Sequence, residues 1–416
     1  MDILLFNHYS GTPDIGMEYR PYFFGLNWNK SGHNVTVVAC SFSHSRRMQP
    51  KGCFLFKREK INGINYIWVY GNPYKGNGVM RALNILIYSF LSCFLFFSIR
   101  KKFDVIINSS THTLDIFPSM VYKNLNKFFF KKKKIISVFE PHDLWPMVLT
   151  EIGGMHKYHP FVLLNSLGEK LSCITSDLII SMHPGNINHL AKRGANRDDF
   201  YHIPNGINVS DWSEEKQLPE SIFNQLSNIK EKGSKIIMYT GTISVANDLD
   251  FLLRAISKID DNIAPVFFGQ GTELKSLIRL SEKLKINSYF LGTINKEQIP
   301  AALKFADICY VGFLKNILYQ YGVSANKIWD YMMSSKPIIL SIDACNDPVA
   351  EANCGITVNS HDEEDLKEAI NRLINLSEND LSKLGANGKK YVIENNSYDK
   401  ISNYAIELFD NKLKSL

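Results

Sequence analysis

Short apolar runs alternate with amphipathic segments along this whole chain, and that alternation limits the folds it can adopt. The runs are rich in Val, Ile and Leu and nearly continuous, as in strands buried on both faces of a parallel sheet. They cover residues 3–6, 35–39, 66–70, 105–107, 135–139, 178–181, 236–239, 265–268, 289–291, 308–311, 337–341 and 356–358. Helical spacing of apolar residues lies between them, as in 249–259, 273–284, 299–306 and 364–374. The pattern predicts the α/β fold class, with doubly wound parallel sheets.

The alternation is interrupted once, by a polar stretch near the middle of the chain. Pro204, Asn205 and Gly206 form a turn signal, and residues 211–235 are polar and charged with no strand pattern. We therefore expect one domain over residues 1–206 and a second over 207–397. Residues 398–416 place apolar side chains on one side of a helix and predict a separate C-terminal helix.

Charge and cysteine content exclude several classes of protein. The 416 residues carry 47 Lys and Arg against 41 Asp and Glu, and a net charge of +6 is too small to favour a nucleic-acid partner. It does permit attraction to phosphates or to an anionic membrane surface. Seven scattered cysteines without a Cys-x-x-Cys pair argue against a disulfide scaffold or a thiolate zinc site and fit a reducing compartment. The first residues lack a basic region ahead of an apolar stretch, so we expect a cytoplasmic location.

Two segments of the first half combine phenylalanine with basic residues. Residues 83–99 contain no charge and are followed by Arg100, Lys101 and Lys102, and their length is at the short limit for a membrane span. A helix packed on the sheet, with one face in lipid, is the favoured interpretation, and a span is the alternative. The second segment predicts a contact with a membrane surface, its alternative being a solvated loop. Its residues are Phe128, Phe129, Phe130, Lys131, Lys132, Lys133 and Lys134.

Three consecutive predicted strands of the second half end in glycine. Gly241 and Thr242 follow the first, Gly269 and Gly271 the second, and Gly292 the third. Glycine lets a ligand approach the backbone, and each following helix offers N–H groups to an anion. Three such glycines in register predict a nucleotide site at that edge of the sheet.

Residues 321–332 contain the strongest candidate for an anion site. Ser324 is a credible helix N-cap, which puts Lys327 in the first turn, against the helix dipole. A bound diphosphate would remove that conflict. Asp330 lies three residues further on, so it shares a face with Lys327 and could accept hydrogen bonds from sugar hydroxyls. The alternative is an ion pair between Lys327 and Asp330 on the surface.

Two loops of the first half could carry chemistry. The loop after the first strand contains Gly11 and Gly16, at a position where α/β folds place phosphates or substrates, although a plain tight turn explains it equally well. After the run at 135–139, His142 and Asp143 stand between prolines and predict a site. Asp143 as a helix N-cap is the alternative there, and the two roles can coexist.

In combination, these motifs resemble glycosyltransferase family 4. The resemblance is carried by residues 204–206, Gly241, Gly269-x-Gly271 and Asn326-Lys327-x-x-Asp330-Tyr331-Met332, followed by Lys336-Pro337. Gly16-Met17-Glu18-x-Arg20-Pro21-Tyr22, residues 41–44 and Asp143-Leu144-Trp145-Pro146 look like the branch that builds bacterial O-antigen and capsule units, including transferases of N-acetyl-fucosamine type sugars.

The resemblance implies the GT-B fold, two Rossmann-like domains facing a cleft, with the C-terminal helix crossing back to the first domain. It implies retaining transfer without a metal or other cofactor. The donor would be a UDP-sugar, commonly of an N-acetylamino sugar, and the acceptor a saccharide on a polyprenyl diphosphate at the inner face of the cytoplasmic membrane. The enzyme would be peripherally associated with that membrane.

The resemblance also assigns roles to residues. Lys327, the helix start near Ser324 and Asn326, and backbone N–H groups of the Gly11–Gly16 loop would stabilise the departing diphosphate. Asp330 would hold sugar or ribose hydroxyls, and His142 the donor sugar. Phe290, Leu291 and Gly292 would border the base, beside Gly241, Thr242, Gly269 and Gly271. The acceptor side would comprise Gly11, Gly16, Glu18, Asp143 and Trp145.

The chain departs from the family in two places. The usual Arg and Lys after the first strand of the second domain have no match in residues 241–248, which leaves Lys327 as the main candidate for neutralising the diphosphate. The paired glutamates of the family fall on Gly322 and Asp330, so the first carboxylate is absent and the second is shorter. A nucleotide-sugar epimerase and a catalytically inactive nucleotide-sugar-binding protein on the same fold remain as alternatives.

Overall fold

The predicted apolar runs form the strands of two β-sheets. The computed structural model describes residues 1–99, 101–130, 134–213 and 216–416, without the side chain of Phe130. Contacts divide the chain into a first unit, Met1–Pro204 with Tyr398–Leu416, and a second unit, Asn205–Ser397. Each unit contains one sheet with helices on both faces, which confirms the predicted fold class.

The sheet of the first unit has eight strands in the order β3-β4-β2-β1-β5-β6-β7-β8. The strands are β1 (Asp2–Phe6), β2 (Asn34–Cys40), β3 (Phe56–Ile61), β4 (Ile64–Val69), β5 (Val105–Asn108), β6 (Ile136–Phe139), β7 (Leu178–Ser181) and β8 (Phe200–His202). All neighbouring pairs are parallel except β3 with β4. The helices before the second unit are α1 (Arg20–Lys30), α2 (Val79–Ile99), α3 (Ile116–Phe130), α4 (Met147–Glu151), α5 (Pro160–Thr175) and α6 (Asn186–Leu190).

Strand β1 shows why both faces of this sheet are covered. Ile3 and Leu5 point into a cluster with aromatic residues of α1, whereas Leu4 and Phe6 point into a cluster with residues of α2 and α3. Since successive side chains of a strand alternate between faces, a continuous apolar run must be buried from both sides. Strands β1, β5 and β6 are parallel neighbours, so their carboxyl ends lie together at one edge of the sheet. The loops that contain Gly11, Ser109 and His142 follow these ends.

The second unit repeats this arrangement with six parallel strands in the order β11-β10-β9-β12-β13-β14. They are β9 (Lys235–Thr240), β10 (Ile263–Phe268), β11 (Tyr289–Phe290), β12 (Ile308–Gly312), β13 (Ile338–Ser341) and β14 (Gly355–Val358). The helices are α7 (Glu220–Glu231), α8 (Leu249–Ile256), α9 (Leu274–Leu284), α10 (Ile299–Leu303), α11 (Asn326–Met333), α12 (Pro348–Glu351), α13 (Glu363–Ile374) and α14 (Glu378–Asn396). Because β9, β10 and β11 are neighbours, the three predicted glycine loops share one edge of the sheet.

The last helix, α15 (Tyr398–Ser415), packs on α1 of the first unit. The ring of Tyr398 stacks on Phe23, with ring centroids 4.6 Å apart, and Phe409 meets Trp28 edge-on at 5.8 Å. The indole N–H of Trp28 donates to the carbonyl of Ser402 over 2.9 Å. The last helix therefore completes the core of the first unit, although nearly two hundred residues separate it from the rest of that unit.

Truncating Phe409 to Ala is expected to destabilise the first unit by about 3–5 kcal/mol, because it opens a cavity against Trp28 in a fully buried position. Denaturant unfolding followed by tryptophan fluorescence measures the change. Tyr404→Ala, on the exposed side of the same helix, is the matched control and should stay within about 0.5 kcal/mol of the parent. Equal effects of the two substitutions would contradict this account of α15.

Candidate nucleotide site and charged cluster

The glycines at the edge of the second sheet are required by backbone contacts. A Cβ on Gly269 would lie 1.8 Å from the carbonyl oxygen of Gly241, and one on Gly271 would lie 1.9 Å from that of Ile243. The N–H of Gly241 donates to the carbonyl of Phe268 over 2.9 Å, and the N–H of Ile243 to that of Gln270 over 2.9 Å. The loops after β9 and β10 thus lie directly on one another, and only glycine allows that approach.

Lys327, in the first turn of α11, reaches this glycine edge. Its Nζ lies 2.8 Å from the hydroxyl of Tyr239 and 2.7 Å from Oδ1 of Asn247, and it sits 4.4 Å from the centroid of the Tyr239 ring. A Cβ on Gly241 would be only 3.3 Å from the same Nζ. The side chain of Lys327 therefore lies across the end of β9, beside bare backbone.

Both hydrogen-bond partners of Lys327 are neutral. Burial lowers the pKa of its ammonium group to about 7, because desolvation disfavours the charged form. No ion pair with Asp330 or any other carboxylate forms within the part of the chain that the structure describes. A bound anion would supply the negative charge that the ammonium group of Lys327 lacks as a partner.

Asp330, three residues after Lys327 in α11, is half-buried. Burial raises the pKa of its carboxyl group; among the neighbouring charges, Lys296 lowers it and Asp211 raises it. The alternative interpretation, a surface ion pair between Lys327 and Asp330, is wrong, because Nζ of Lys327 bonds Tyr239 and Asn247 instead.

The predicted N-cap role of Ser324 is also wrong. Helix α11 begins at Asn326 with Ala325 as its N-cap and without a side-chain cap. The hydroxyl of Ser324 instead accepts a hydrogen bond from the backbone N–H of Asn205 over 2.7 Å, and its carbonyl accepts one from the Asn205 side chain over 3.0 Å. The hydroxyl of Ser324, which a local rule assigns to the helix start, therefore binds a residue 119 positions away in the sequence.

The other predicted donor residues surround the same edge. The carbonyl of Thr242 accepts hydrogen bonds from the Tyr239 hydroxyl and the Asn247 amide. Phe290 stacks on Phe267 at 5.0 Å, and the carbonyl of Gly292 accepts from the N–H of Gly269 over 2.7 Å. The backbone N–H of Leu291 pairs with Phe267, and the side chain of Asn326 is exposed.

Tyr239 and Asn247, which hold Lys327, were not selected from the sequence. Tyr239 looks like one more apolar residue of a buried strand, and Asn247 lies in a loop without a motif. The available signal was their position at one strand end, since Tyr239 is the last residue but one of β9 and Asn247 lies in the loop that follows.

The first unit contains a second polar cluster, at the carboxyl ends of β5 and β6. Nδ1 of His142 lies 3.0 Å from the carboxylate of Glu18, and Nε2 lies 2.9 Å from the hydroxyl of Ser109. Glu140 accepts a hydrogen bond from the same hydroxyl and forms a 2.9 Å ion pair with Arg20. Arg20 in turn donates to the carbonyls of Ile203 and Pro204. Arg20, Glu140 and Ser109 were not predicted as site residues, although the first two fall in or next to motifs that were.

The charges of this cluster balance one another. Burial alone would lower the pKa of His142, but Glu18 and Glu140 raise it to about 10. Burial would raise the pKa of Glu140, but Arg20 and His142 lower it to about 2. His142 is thus an imidazolium at neutral pH, with both N–H groups directed at neighbours, and Glu18 is the least buried member of the cluster, 31% of its side chain being accessible.

The remaining predicted residues of the first unit have simpler surroundings. The N–H groups of Gly11 and Gly16 donate to Glu18 and Thr12, so these two donors are engaged within the loop. Asp143 is exposed and does not cap α4, whose N-cap is Pro146 without a side-chain bond, so the alternative capping role is wrong. Trp145 is buried, and its indole N–H has no partner among the described residues.

The segment predicted to contact a membrane lies at the end of α3. Phe128 and Phe129 are exposed by 76% and 56%, and Lys134 is exposed. Lys131, Lys132 and Lys133, and the side chain of Phe130, lie outside the described residues. Helix α2 is long and apolar enough to cross a membrane, as judged by length and composition over the described residues.

Metal-binding residues were not expected from the sequence. No group of three or more His, Cys, Asp or Glu side chains arranged to hold a metal ion occurs among residues 1–99, 101–130, 134–213 and 216–416.

The charge of His142 makes the stability of the first unit depend on pH. A folded pKa of about 10 against an ordinary value of 6.5 stabilises the fold fully below pH 6.5, and that contribution disappears as the pH rises through about 10. The melting temperature of His142→Gln should therefore lie furthest below that of the parent at pH 6.5 and approach it towards pH 10. His156→Gln, at an exposed position, is the control. A difference that stays constant across this range would show that His142 is not charged in the fold.

Most of the second unit matches a protein-family model. Residues 222–391 match the model of glycosyl transferases group 1. This range includes the glycine edge and Lys327. No protein with a curated description matches the sequence significantly.

Solved structures with similar folds cover essentially the whole chain. Sucrose-phosphate synthase from Thermosynechococcus elongatus superimposes with a TM-score of 0.71 at 15% identity, with 100% of both chains covered. The Anabaena protein HepE in complex with UDP-glucose gives 0.65 at 14% identity, again over 100% of both chains. The lipopolysaccharide outer core galactosyltransferase WaaB gives 0.64 at 12% identity, over 98% of this chain and 99% of that one.

The likeness to these solved structures agrees with the GT-B fold that the resemblance implied. The second unit carries a glycosyl transferases group 1 domain, and the chain is a glycosyltransferase of the GT-B type.

Proposed function

We propose that the protein is a retaining, metal-independent glycosyltransferase that moves a sugar, of the N-acetylamino type, from a UDP-sugar to a saccharide linked to a polyprenyl diphosphate. The observation that carries the proposal is Lys327: a buried ammonium group held by two neutral partners at a glycine-lined sheet edge. A protein of this fold from Anabaena has been solved with UDP-glucose. The donor diphosphate is the anion that would complete the charge of this site.

In the proposed reaction, the bond between the sugar and the diphosphate breaks as the new glycosidic bond forms. The departing oxygen gains negative charge while the sugar becomes oxocarbenium-like, and fixed donors that face this oxygen lower the barrier. The ammonium group of Lys327 is already positioned by Tyr239 and Asn247, so it needs little rearrangement when the charge develops. Binding of the diphosphate raises the pKa of Lys327 and keeps it charged.

The other proposed roles are divided between the second unit and the first unit. Asp330 is proposed to hold ribose or sugar hydroxyls, and the segment of Phe290, Leu291 and Gly292 to border the base. In the first unit, the charged His142 is proposed to serve the donor sugar. Because its two N–H groups are engaged, Glu18, the least buried member of this cluster, is proposed to bind hydroxyls. Asp143 and Trp145 are proposed to serve the acceptor.

The proposed pathway is bacterial surface polysaccharide synthesis, of O-antigen or capsule, at the inner face of the cytoplasmic membrane. It rests on the resemblance of residues 16–22 and 143–146 and on the lipid-linked acceptor that this branch uses. The exposed Phe128, Phe129 and Lys134 support peripheral contact with that membrane.

One observation favours a second candidate function. Gly322 stands where family 4 enzymes have the first of two glutamates, so a carboxylate for the donor sugar is absent at that position. A protein that binds a nucleotide sugar without transferring it would tolerate this loss. Release of UDP from labelled donors, with and without membrane extracts that contain acceptor, separates the two functions.

Replacing Lys327 with Met is expected to lower turnover by about 10²–10³-fold and to weaken UDP binding, because the developing charge loses its buried donor. Titration calorimetry with UDP measures binding, and thermal unfolding checks the fold. Lys336→Met is the matched control, since Lys336 bonds the carbonyl of Lys304 beyond the far end of the same helix. A Lys327→Met variant that binds UDP as tightly as the control would contradict the assignment.

The affinity for UDP should depend on pH through Lys327. Since its pKa is about 7 in the free protein and rises on binding, the dissociation constant should increase above pH 7 by up to about tenfold per pH unit. Lys327→Arg keeps its charge throughout and should give a flat profile in this range. Calorimetry between pH 7 and about pH 9 tests this, and a flat profile for the parent protein would overturn it.

A further inference from the structure

Helix α2 has its polar and apolar faces reversed relative to a helix on the surface of a soluble protein. It runs over Val79–Ile99, its most apolar 18-residue window has a mean hydropathy of 2.1, and only 39% of that window is buried. The buried residues include Asn84, Tyr88, Ser89 and Ser92. These four polar side chains form one line along the helix, and this polar line faces the protein, whereas a helix on a protein in water normally turns its polar face outward.

Polar contacts of Asn84 and Tyr88 fix the buried face of α2 to the first unit. Oδ1 of Asn84 lies 2.7 Å from Nε2 of His8, and its amide donates to the carbonyl of Asn72 over 2.7 Å. The hydroxyl of Tyr88 donates to the carbonyl of Val38, in β2, over 2.9 Å. Near the end of the helix, Arg58 donates to the carbonyl of Ser98 over 2.8 Å. A helix that crossed a membrane would lose these contacts, so α2 lies along the protein surface.

The outward face of α2 consists of large apolar side chains. Phe90, Phe94 and Phe97 are exposed by 64%, 48% and 59%, and Leu83 and Leu86 extend the same face towards the start of the helix. At the far end Phe96 meets Phe129 of α3 with centroids 5.7 Å apart, and Phe128 packs against Phe129. We call these exposed side chains the apolar face; it is formed by Leu83, Leu86, Phe90, Phe94, Phe97, Phe128 and Phe129.

The sequence around the apolar face carries positive charge and no negative charge. Residues 79–103 and 116–139, which contain both helices, hold ten Lys and Arg and no Asp or Glu. Lys127 and Lys134 are exposed, and Lys101 pairs with Asp2. An apolar surface in so basic a stretch of sequence, with Lys127 and Lys134 exposed, matches an anionic lipid leaflet, whose headgroups attract the cations while the acyl region accepts the phenylalanines.

We infer that α2 lies in the plane of the membrane interface, with the apolar face inserted into an anionic leaflet and its polar line on the sheet. The inference rests on the peripheral association proposed above and extends it from the end of α3 to the full length of α2. A helix of 21 residues is about 32 Å long, so the contact would run along one whole side of the first unit. The charge pattern favours a leaflet over a second copy of the chain, which would bring these cations together.

The test measures sedimentation of the full chain with vesicles of equal parts phosphatidylcholine and phosphatidylglycerol, and with phosphatidylcholine alone. The parent protein should bind the anionic vesicles and be released by alkaline carbonate. Changing Phe90, Phe94 and Phe97 together to Ser should reduce the partition coefficient by at least about tenfold, since the apolar anchors are removed. The matched control changes Phe54, Ile152 and Tyr158 to Ser; they lie on the same unit, outside α2 and α3, and are exposed by 86%, 61% and 67%.

Each other outcome overturns the inference. Undiminished vesicle binding by the triple Phe variant would remove α2 from the contact, and resistance of the parent to carbonate would show a span. A dimer that dissociates in the triple variant, without any loss of vesicle binding, would show that the face contacts another copy. If Lys131–Lys134 changed to Ser weakens binding while the Phe variant does not, the proposed peripheral association stands and only the role of α2 fails. Binding needs neither donor nor acceptor, so calorimetry with UDP reports separately on the proposed transferase.

Discussion

The uncompensated charge of Lys327 is the constraint on which the second unit depends. A buried ammonium group with only neutral partners is less stable than the same group in water, and that is why its pKa falls to about 7. The fold keeps it in place by packing α11 against the sheet and by two hydrogen bonds from Nζ. A lysine on the surface would avoid this cost. The position of Lys327 is therefore explained if the site binds an anion.

In the first unit, by contrast, the buried charges are paired with charges of the opposite sign. Arg20, Glu140, His142 and Glu18 form an alternating chain of cations and carboxylates whose charges cancel. Breaking one member leaves the others buried without a partner, which is costly, so this cluster holds its geometry rigidly. The two units thus supply different kinds of site: one lacks a charge that a ligand can provide, and the other holds a preset, partly exposed glutamate.

Much of this fold could be predicted from the alternation of apolar runs and helices, because a strand buried on both faces leaves an unambiguous signature. Strand β3 was missed because Lys57, Arg58, Glu59 and Lys60 give it no apolar run; it pairs at the edge of the sheet through its backbone. The shared edge of the glycine loops was predictable because the carboxyl ends of neighbouring parallel strands must meet. Lys327 was selected instead from its place in a first helical turn, and the structure puts its Nζ beside Gly241. Local capping rules failed at Ser324, since a hydroxyl binds whichever donor the tertiary fold brings closest, here the N–H of Asn205.

Helix α2 shows what hydropathy alone leaves open. A long apolar segment is compatible with a membrane span, a core helix or an interfacial helix, and these differ only in what lies on each side. The polar line of Asn84, Tyr88 and Ser92 would be a poor surface for lipid and an ordinary one for water, yet it faces the sheet, where Asn84 and Tyr88 find hydrogen-bond partners. With its polar groups turned inward, the helix exposes phenylalanine on the other side. Exposed phenylalanine side chains are unfavourable in water, whereas the proposed contact with a lipid leaflet would bury them.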